Sequence, residues 1–238
     1  IVQTLYKEIS MPSIEVYSSI ECPYAYLTTY RLRQLWPEYA GRVRIVWRAL
    51  PLEYINRRSH PKPLFEAEQQ LFQKIEPDLP WKSWSRPDWD WPVTFIPAFE
   101  ALACAQAQGD ISAFAMSWAL RHAFFAENRN LSMRHELIEV AEQVASEGNL
   151  DLEWFKSDWD HGRMKGLVMT ESHLGWHELD VKASATIILP DGRRWTNPDI
   201  GEVDFDEENY ILRSYTPYEG DPTTTYRQIL ESVALELF

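Results

Sequence analysis

The chain contains two cysteines, Cys22 and Cys104, in unlike surroundings. Cys22 sits in SIECPYAYLTTY, followed by Pro23, Tyr24 and Ala25 and then by apolar residues at helical spacing. Proline is tolerated in the first turn of a helix, where its missing N–H leaves no bond unmade, so a helix is predicted from about Cys22 to Trp36. A thiol at a helix start faces unpaired backbone N–H groups and the positive end of the helix dipole. Both favour the thiolate, which is the nucleophile. This placement predicts a lowered Cys22 pKa, opposed by Glu21 if that carboxylate points inward. The alternative is a small buried residue of no chemical consequence, as many free cysteines are. Three residues on, where a paired redox site would keep its second sulfur, stands Ala25. A second thiolate is what resolves a mixed disulfide from within, so a one-thiol site needs an outside thiol. Cys104 lies in the alanine-rich run ALACA and reads as structural.

The elements that must position Cys22 follow from periodicity. Ile14 to Tyr17 alternates as a short strand, and Val43 to Trp47 is a second, giving strand, helix and strand within the length of a βαβ unit. Pro37 is expected to end the intervening helix. Helices are then predicted over Leu64–Ile75, Pro97–Gln108, Ile111–Ala126, Met133–Glu147, Leu152–Trp159 and His161–His173. Asp110, Ser132 and Asp151 are read as N-caps, and Gly148 as a terminator. The segment WKSWSRPDWDWP, residues 81–92, is irregular and rich in Trp. It reads as a seal between two parts of the fold, with closure over an apolar ligand as the alternative. Ala185–Leu189, the turn Pro190-Asp191-Gly192 and Arg194–Thr196 form a predicted hairpin. Asp199 to Glu208 reads as a solvated acidic loop, and a last helix is expected over Pro222–Leu237 with Asp221 as its cap.

Composition sets limits on partners. A formal charge of -13 and 45% apolar residues across 238 positions describe a folding chain without a basic nucleic-acid footprint. No run approaches the roughly 18 apolar residues that span a bilayer. Neither nucleic acid nor membrane is expected as a partner. Two cysteines fit a reducing compartment, and the cytoplasm is the expected location. The chain opens on Ile1 rather than Met, so an upstream leader stays open. Among other residues, His173 and His177 share a helical spacing but no converging ligand accompanies them, so no metal is expected. Arg48 reads either as a carboxylate-binding group or as a salt-bridged strand end.

Four stretches, EVYSSIECPYAYL, VWRALPLEYINR, AQAQGDISAFAMSWALRHAFFAENRNL and KASATIILPDGRRW, together resemble the DsbA-like branch of the thioredoxin superfamily. That branch includes FrnE-type proteins, 2-hydroxychromene-2-carboxylate isomerases and kappa-class glutathione transferases. The resemblance implies an α/β, thioredoxin-like fold of β-α-β then β-β-α with an all-helical insertion domain. The core would cover 11–58 and 178–238, and the insertion 59–177. It implies Cys22 as the catalytic thiol, with Pro23, Tyr24, Ser184 and Ala185 binding substrate or glutathione. Tyr26 is a further candidate for the pocket wall, with the core as its alternative. Ala185 falls where relatives usually carry a cis-proline. A cis bond before a non-proline residue costs about 2.5–4 kcal/mol, so a trans bond is expected.

The function this implies is thiol-disulfide oxidoreduction with a single cysteine, glutathione serving as co-substrate and no cofactor tightly bound. Its partners would be a small thiol or a protein thiol or disulfide, with a homodimer left open. A glutathione-dependent isomerase or transferase is the alternative, and a binding module without chemistry the third reading.

Overall fold

The computed structural model describes residues 11–206 and 208–235. Ser13–Ser18 forms β1, and its alternate residues Ile14 and Val16 are fully buried. A four-residue loop leads into helix α1, Pro23–Tyr39. Pro37 lies inside this helix instead of ending it. Loss of one N–H near a C-terminus is offset by packing: Trp36 stacks on Phe114 at 4.7 Å and Tyr39 is 2% exposed.

Strand β2, Arg44–Ala49, lies parallel to β1 from Ser13↔Arg44 to Ser18↔Ala49. A short helix α2, Leu52–Asn56, follows, in a stretch for which periodicity predicts no helix. The predicted helices appear as α3 (Lys62–Ile75), α4 (Ile96–Gln106), α5 (Asp110–Phe125), α6 (Arg134–Ser146), α7 (Leu152–Asp160) and α8 (Lys165–His173). A π turn over Leu174–Glu178 extends the last of them. Of the predicted caps, Asp151 accepts from the Trp154 N–H at 2.9 Å. Asp110 is instead the first residue of α5 and takes the Arg44 guanidinium, and Met133 rather than Ser132 precedes α6.

Strand β3, Thr186–Ile188, returns antiparallel to β1, and β4, Arg194–Thr196, closes a hairpin against it. The sheet order is β2-β1-β3-β4. This is the expected thioredoxin-like arrangement, with the helical segment inserted between β2 and β3. The central strand is covered on both faces: Ile14 and Val16 join the main core, whereas Tyr17 packs with Leu50, Val181 and Ile188.

The expected acidic loop is corrected to a hairpin of β5, Gly201–Asp206, and β6, Ile211–Pro217. Within its acidic run, Val203 packs on the main core while the Asp206 carboxylate accepts the N–H groups of the turn at Glu208 and Asn209. Helix α9, Thr224–Ala234, begins two residues later than expected, because Asp221 holds the preceding turn through the Thr223 N–H at 2.8 Å. The predicted end at Leu237 lies outside the described residues. No described helix is long and apolar enough to cross a membrane.

Candidate functional site

Cys22 caps α1 with extended backbone (φ -85°, ψ 123°), without a side-chain capping hydrogen bond. The thiol donates instead to the Ser184 carbonyl at 3.3 Å, 162 residues away in sequence. On the same strand start, the Ser184 hydroxyl accepts the Ser19 N–H at 2.8 Å. The Ser184–Ala185 peptide is cis, which corrects the expectation of a trans bond. Contacts hold both sides of it: the Ala185 N–H donates to Asn197 Oδ1 at 2.7 Å, and the Asn197 N–H returns to the Ala185 carbonyl at 3.1 Å.

The expected lowering of the Cys22 pKa is also overturned. Cys22 is 5% exposed. Burial pushes its thiol up from 9.0 to about 12, and the Glu68 carboxylate adds to the rise. The main-chain groups of Ala25 and Tyr24, with Ser184, pull the other way without prevailing. A thiolate with little water around it loses more than a helix start returns. The resting group is therefore a protonated thiol, consistent with its donation to Ser184. Beside it, Glu21 is fully buried and its carboxyl is raised above the usual range, first by burial. Its Oε1 accepts the Leu52 N–H at 3.2 Å.

Cys22, Pro23, Tyr24 and Ser184 line one cleft of about 500 Å³. Ala185 lies behind this wall, 1% exposed, and does not itself line it. Leu52, Ile55, Leu64 and Trp176 make an apolar floor and sides, Phe205 and Tyr210 come from the β5–β6 hairpin, and Arg58, Lys182 and Asn197 add polar groups. His60 and Glu68 form a further wall, with His60 Nε2 3.2 Å from Glu68 Oε2. The Tyr24 ring meets Phe72 edge-on at 4.9 Å. Tyr26 belongs to the core: it stacks on Phe125 at 4.7 Å and its hydroxyl donates to the Pro80 carbonyl.

No second sulfur reaches the cleft. Ala25 is buried beneath it, and Cys104, free like Cys22, is packed inside α4 and lines neither large cleft. Arg48 is the salt-bridged strand end, held by Glu15 at 2.9 Å and Glu171 at 2.7 Å. The His173 and His177 rings lie 5.0 Å apart, tilted by 47°, on an exposed helix end. Three of the four clustered Trp side chains, Trp81, Trp84 and Trp91, pack among Phe65, Phe124 and Phe125, and none of them lines the Cys22 cleft.

Sequence reasoning singled out Glu21 but missed the second buried charge near the thiol. Arg121, in the C-terminal half of α5, is fully buried and donates to Ser18 Oγ at 2.8 Å and to the Ser19 carbonyl at 3.3 Å. A lone Arg in the apolar run SWALRHAFF was the available signal.

The fold is similar to that of the cytosolic disulfide reductase DsbM of Pseudomonas aeruginosa, at 18% identity and a TM-score of 0.62, over 95% of this chain and 100% of that one. The same protein with GSH matches at 16% identity and a TM-score of 0.62, over 92% and 98% of the two chains. A 2-hydroxychromene-2-carboxylate isomerase matches at 16% identity and a TM-score of 0.57, over 77% and 87%. At such identities the likeness speaks to fold. A comparison with curated proteins finds no match. The model of the DSBA-like thioredoxin domain matches residues 13–177, well over half of the sequence, and the chain belongs to that family.

Proposed function

We propose that the protein is a thiol-disulfide oxidoreductase that works through one thiol, Cys22, with glutathione as the second reactant. The observation that carries this reading is the position of Cys22 as the one cysteine lining a cleft with an apolar floor, with Ala25 one helical turn along. In the first step the Cys22 sulfur, having lost its proton, attacks one sulfur of a disulfide. The S–S bond breaks, a mixed disulfide forms on Cys22, and the released thiolate takes up a proton. With no internal thiol to resolve it, a glutathione thiolate attacks the mixed disulfide. Cys22 is regenerated and the glutathione sulfur leaves bonded to the other half of the substrate. Arg58 and Lys182 border the cleft and suit the carboxylates of such a tripeptide. The match to DsbM with GSH supports a place for glutathione in this fold. The reaction suits the cytoplasm, where glutathione maintains a reducing pool.

A second reading has its own observation. Because burial keeps Cys22 protonated, its S–H can donate to the thiolate of a bound glutathione and stabilise that sulfur as the nucleophile, as an isomerase or transferase requires. One variant separates the two. Cys22→Ser should abolish glutathione-dependent reduction of hydroxyethyl disulfide, followed through coupled NADPH oxidation. Full retention of that activity sinks the first reading. Glutathione conjugation of a chloronitrobenzene that persists in Cys22→Ser favours the second. Absence of glutathione binding by calorimetry, with neither activity in the wild type, would leave a binding module.

A further inference from the structure

Arg121 carries a permanent charge into the interior. A guanidinium stays protonated at any physiological pH, and removing it from water costs several kcal/mol unless its partners compensate. Its partners here are neutral. Nη1 donates to the Ser117 carbonyl at 3.1 Å and to Ser117 Oγ at 2.8 Å, Nη2 to Ser18 Oγ and the Ser19 carbonyl, and the group lies 5.4 Å from the Trp47 ring centre. Nε is buried without a partner, and none of the ion pairs among the described residues includes Arg121. A core arginine held only by dipoles is expensive, and stability alone does not require one there.

Its contacts lead to the thiol. Arg121 grips the Ser19 carbonyl, the Ser19 N–H grips Ser184 Oγ, and the Ser184 carbonyl receives the Cys22 thiol. The helical segment is thereby joined through three hydrogen bonds to the one sulfur in the cleft. The two groups also act on each other by charge. Burial lowers Arg121 to about 10, and anions at Cys22 and Glu21 oppose that lowering. Electrostatic coupling is reciprocal, so the Arg121 cation favours an anion at Cys22, an effect smaller than the burial and the Glu68 charge that raise the thiol.

We propose that Arg121 is a positioning residue for Cys22, fixing the Ser18–Ser19 backbone against the Ser184 strand start and supplying the buried cation beside which the Cys22 thiolate forms. This rests on Cys22 being the reacting thiol. The other charged and titratable groups around Cys22 are Glu21 on its own loop, Tyr24 on its own helix, His60 and Glu68 across the cleft, and Arg58, Lys182 and Tyr210 lining it. Of these, Glu21 alone is as fully buried as Arg121.

The test reads the sulfur and needs no turnover. Alkylation of Cys22 by iodoacetamide is followed peptide by peptide from pH 7 to 11 in the wild type, Arg121→Gln and Arg121→Lys, with thermal melts to establish folding. Removing the cation should slow alkylation at pH 9 about tenfold, one pH unit on the rising limb, in Arg121→Gln. Arg121→Lys, which restores a charge without the forked contacts, should fall between Arg121→Gln and the wild type. A merely structural role gives the opposite sign, since a loosened loop admits water and reagent and speeds the reaction. Rates equal to or faster than wild type in folded Arg121→Gln overturn the proposal. If that variant does not fold, Arg121→Lys decides alone: slower supports the assignment, equal or faster overturns it. Because alkylation is independent of glutathione turnover, failure here is distinguishable from failure of the oxidoreductase reading, which Cys22→Ser tests.

Discussion

A thiolate at Cys22 would face the main-chain groups of Tyr24 and Ala25, yet it would stand where almost no water reaches, and the second effect is the larger. The helix-start position was legible from Pro23 and the spacing that follows. The depth of burial was not, because the strand start at Ser184 and the wall carrying Glu68 arrive from far along the chain. The consequence has a definite sign. A thiol raised from 9.0 to about 12 ionises later than in the unfolded chain, so folding stability is lost as pH rises from about 9 towards about 12. At pH 8 the thiolate fraction falls on the order of 10³-fold below that of an ordinary cysteine. Alkylation of Cys22 in the native protein should therefore be slower than in urea by about that factor. The native rate should keep climbing with pH well beyond 9. A native rate that levels off near pH 8 would show that the helix start prevails after all. Cys104 is pushed up to about 12 by burial as well, so the measurement must resolve the two peptides.

At the scale of elements, periodicity located every long helix because an apolar stripe recurring every three or four residues survives interruption by charge. The β5–β6 hairpin had no such signature. In GEVDFDEENY the two apolar residues that alternate, Val203 and Phe205, are flanked by carboxylates, so the run reads as a solvated loop. Its partner strand decides otherwise, pairing Gly201↔Pro217 through Asp206↔Ile211. Gly201 is the point of closest approach. Its φ is +96°, and a Cβ built there would lie 2.2 Å from the Thr216 carbonyl oxygen. Neither the left-handed backbone nor that contact admits a side chain, and the clash is with backbone, which cannot move aside cheaply. Gly201→Ala should open this end of the hairpin at a cost of roughly 1–3 kcal/mol. Phe205 and Tyr210 then lose their place on the cleft wall, and KM for an apolar disulfide should rise. Hydrogen exchange gives the direct check: amides of β5 and β6 should exchange faster while those of β1 and β3 stay protected. Unchanged protection in the hairpin would mean that the turn tolerates the side chain.

For the whole molecule, the question is what holds the helical segment in one piece, since Arg121, Glu68 and part of the cleft wall come from that segment. The Trp-rich stretch reads in sequence as a seal, but the sequence does not say which of its rings face inward. Packing separates them. Trp89 is 83% exposed, whereas Trp84 and Trp91 meet at 4.8 Å and close on Phe124. Phe124 is the hub of this cluster, lying 5.2 Å from Phe65 on α3, 4.9 Å from Phe95 ahead of α4 and 4.9 Å from Phe125. One ring thus ties α3, the irregular stretch, α4 and α5 into a common core. Deleting it leaves a cavity among side chains fixed by several elements at once, which cannot all collapse inward. Phe124→Ala should cost about 3–5 kcal/mol, the range for a buried Phe. For a chain of this size that lowers the melting temperature by roughly 10 °C. Trp89→Ala removes a larger ring from the same region but empties no interior space, and it should stay within about 0.5 kcal/mol of the wild type. Paired thermal melts decide the matter, and equal losses in the two variants would mean that the aromatic cluster is not what holds the helical segment together. Because α3 carries Glu68 and α5 carries Arg121, Phe124→Ala should also speed alkylation of Cys22 at neutral pH, as a looser junction lets water into the cleft.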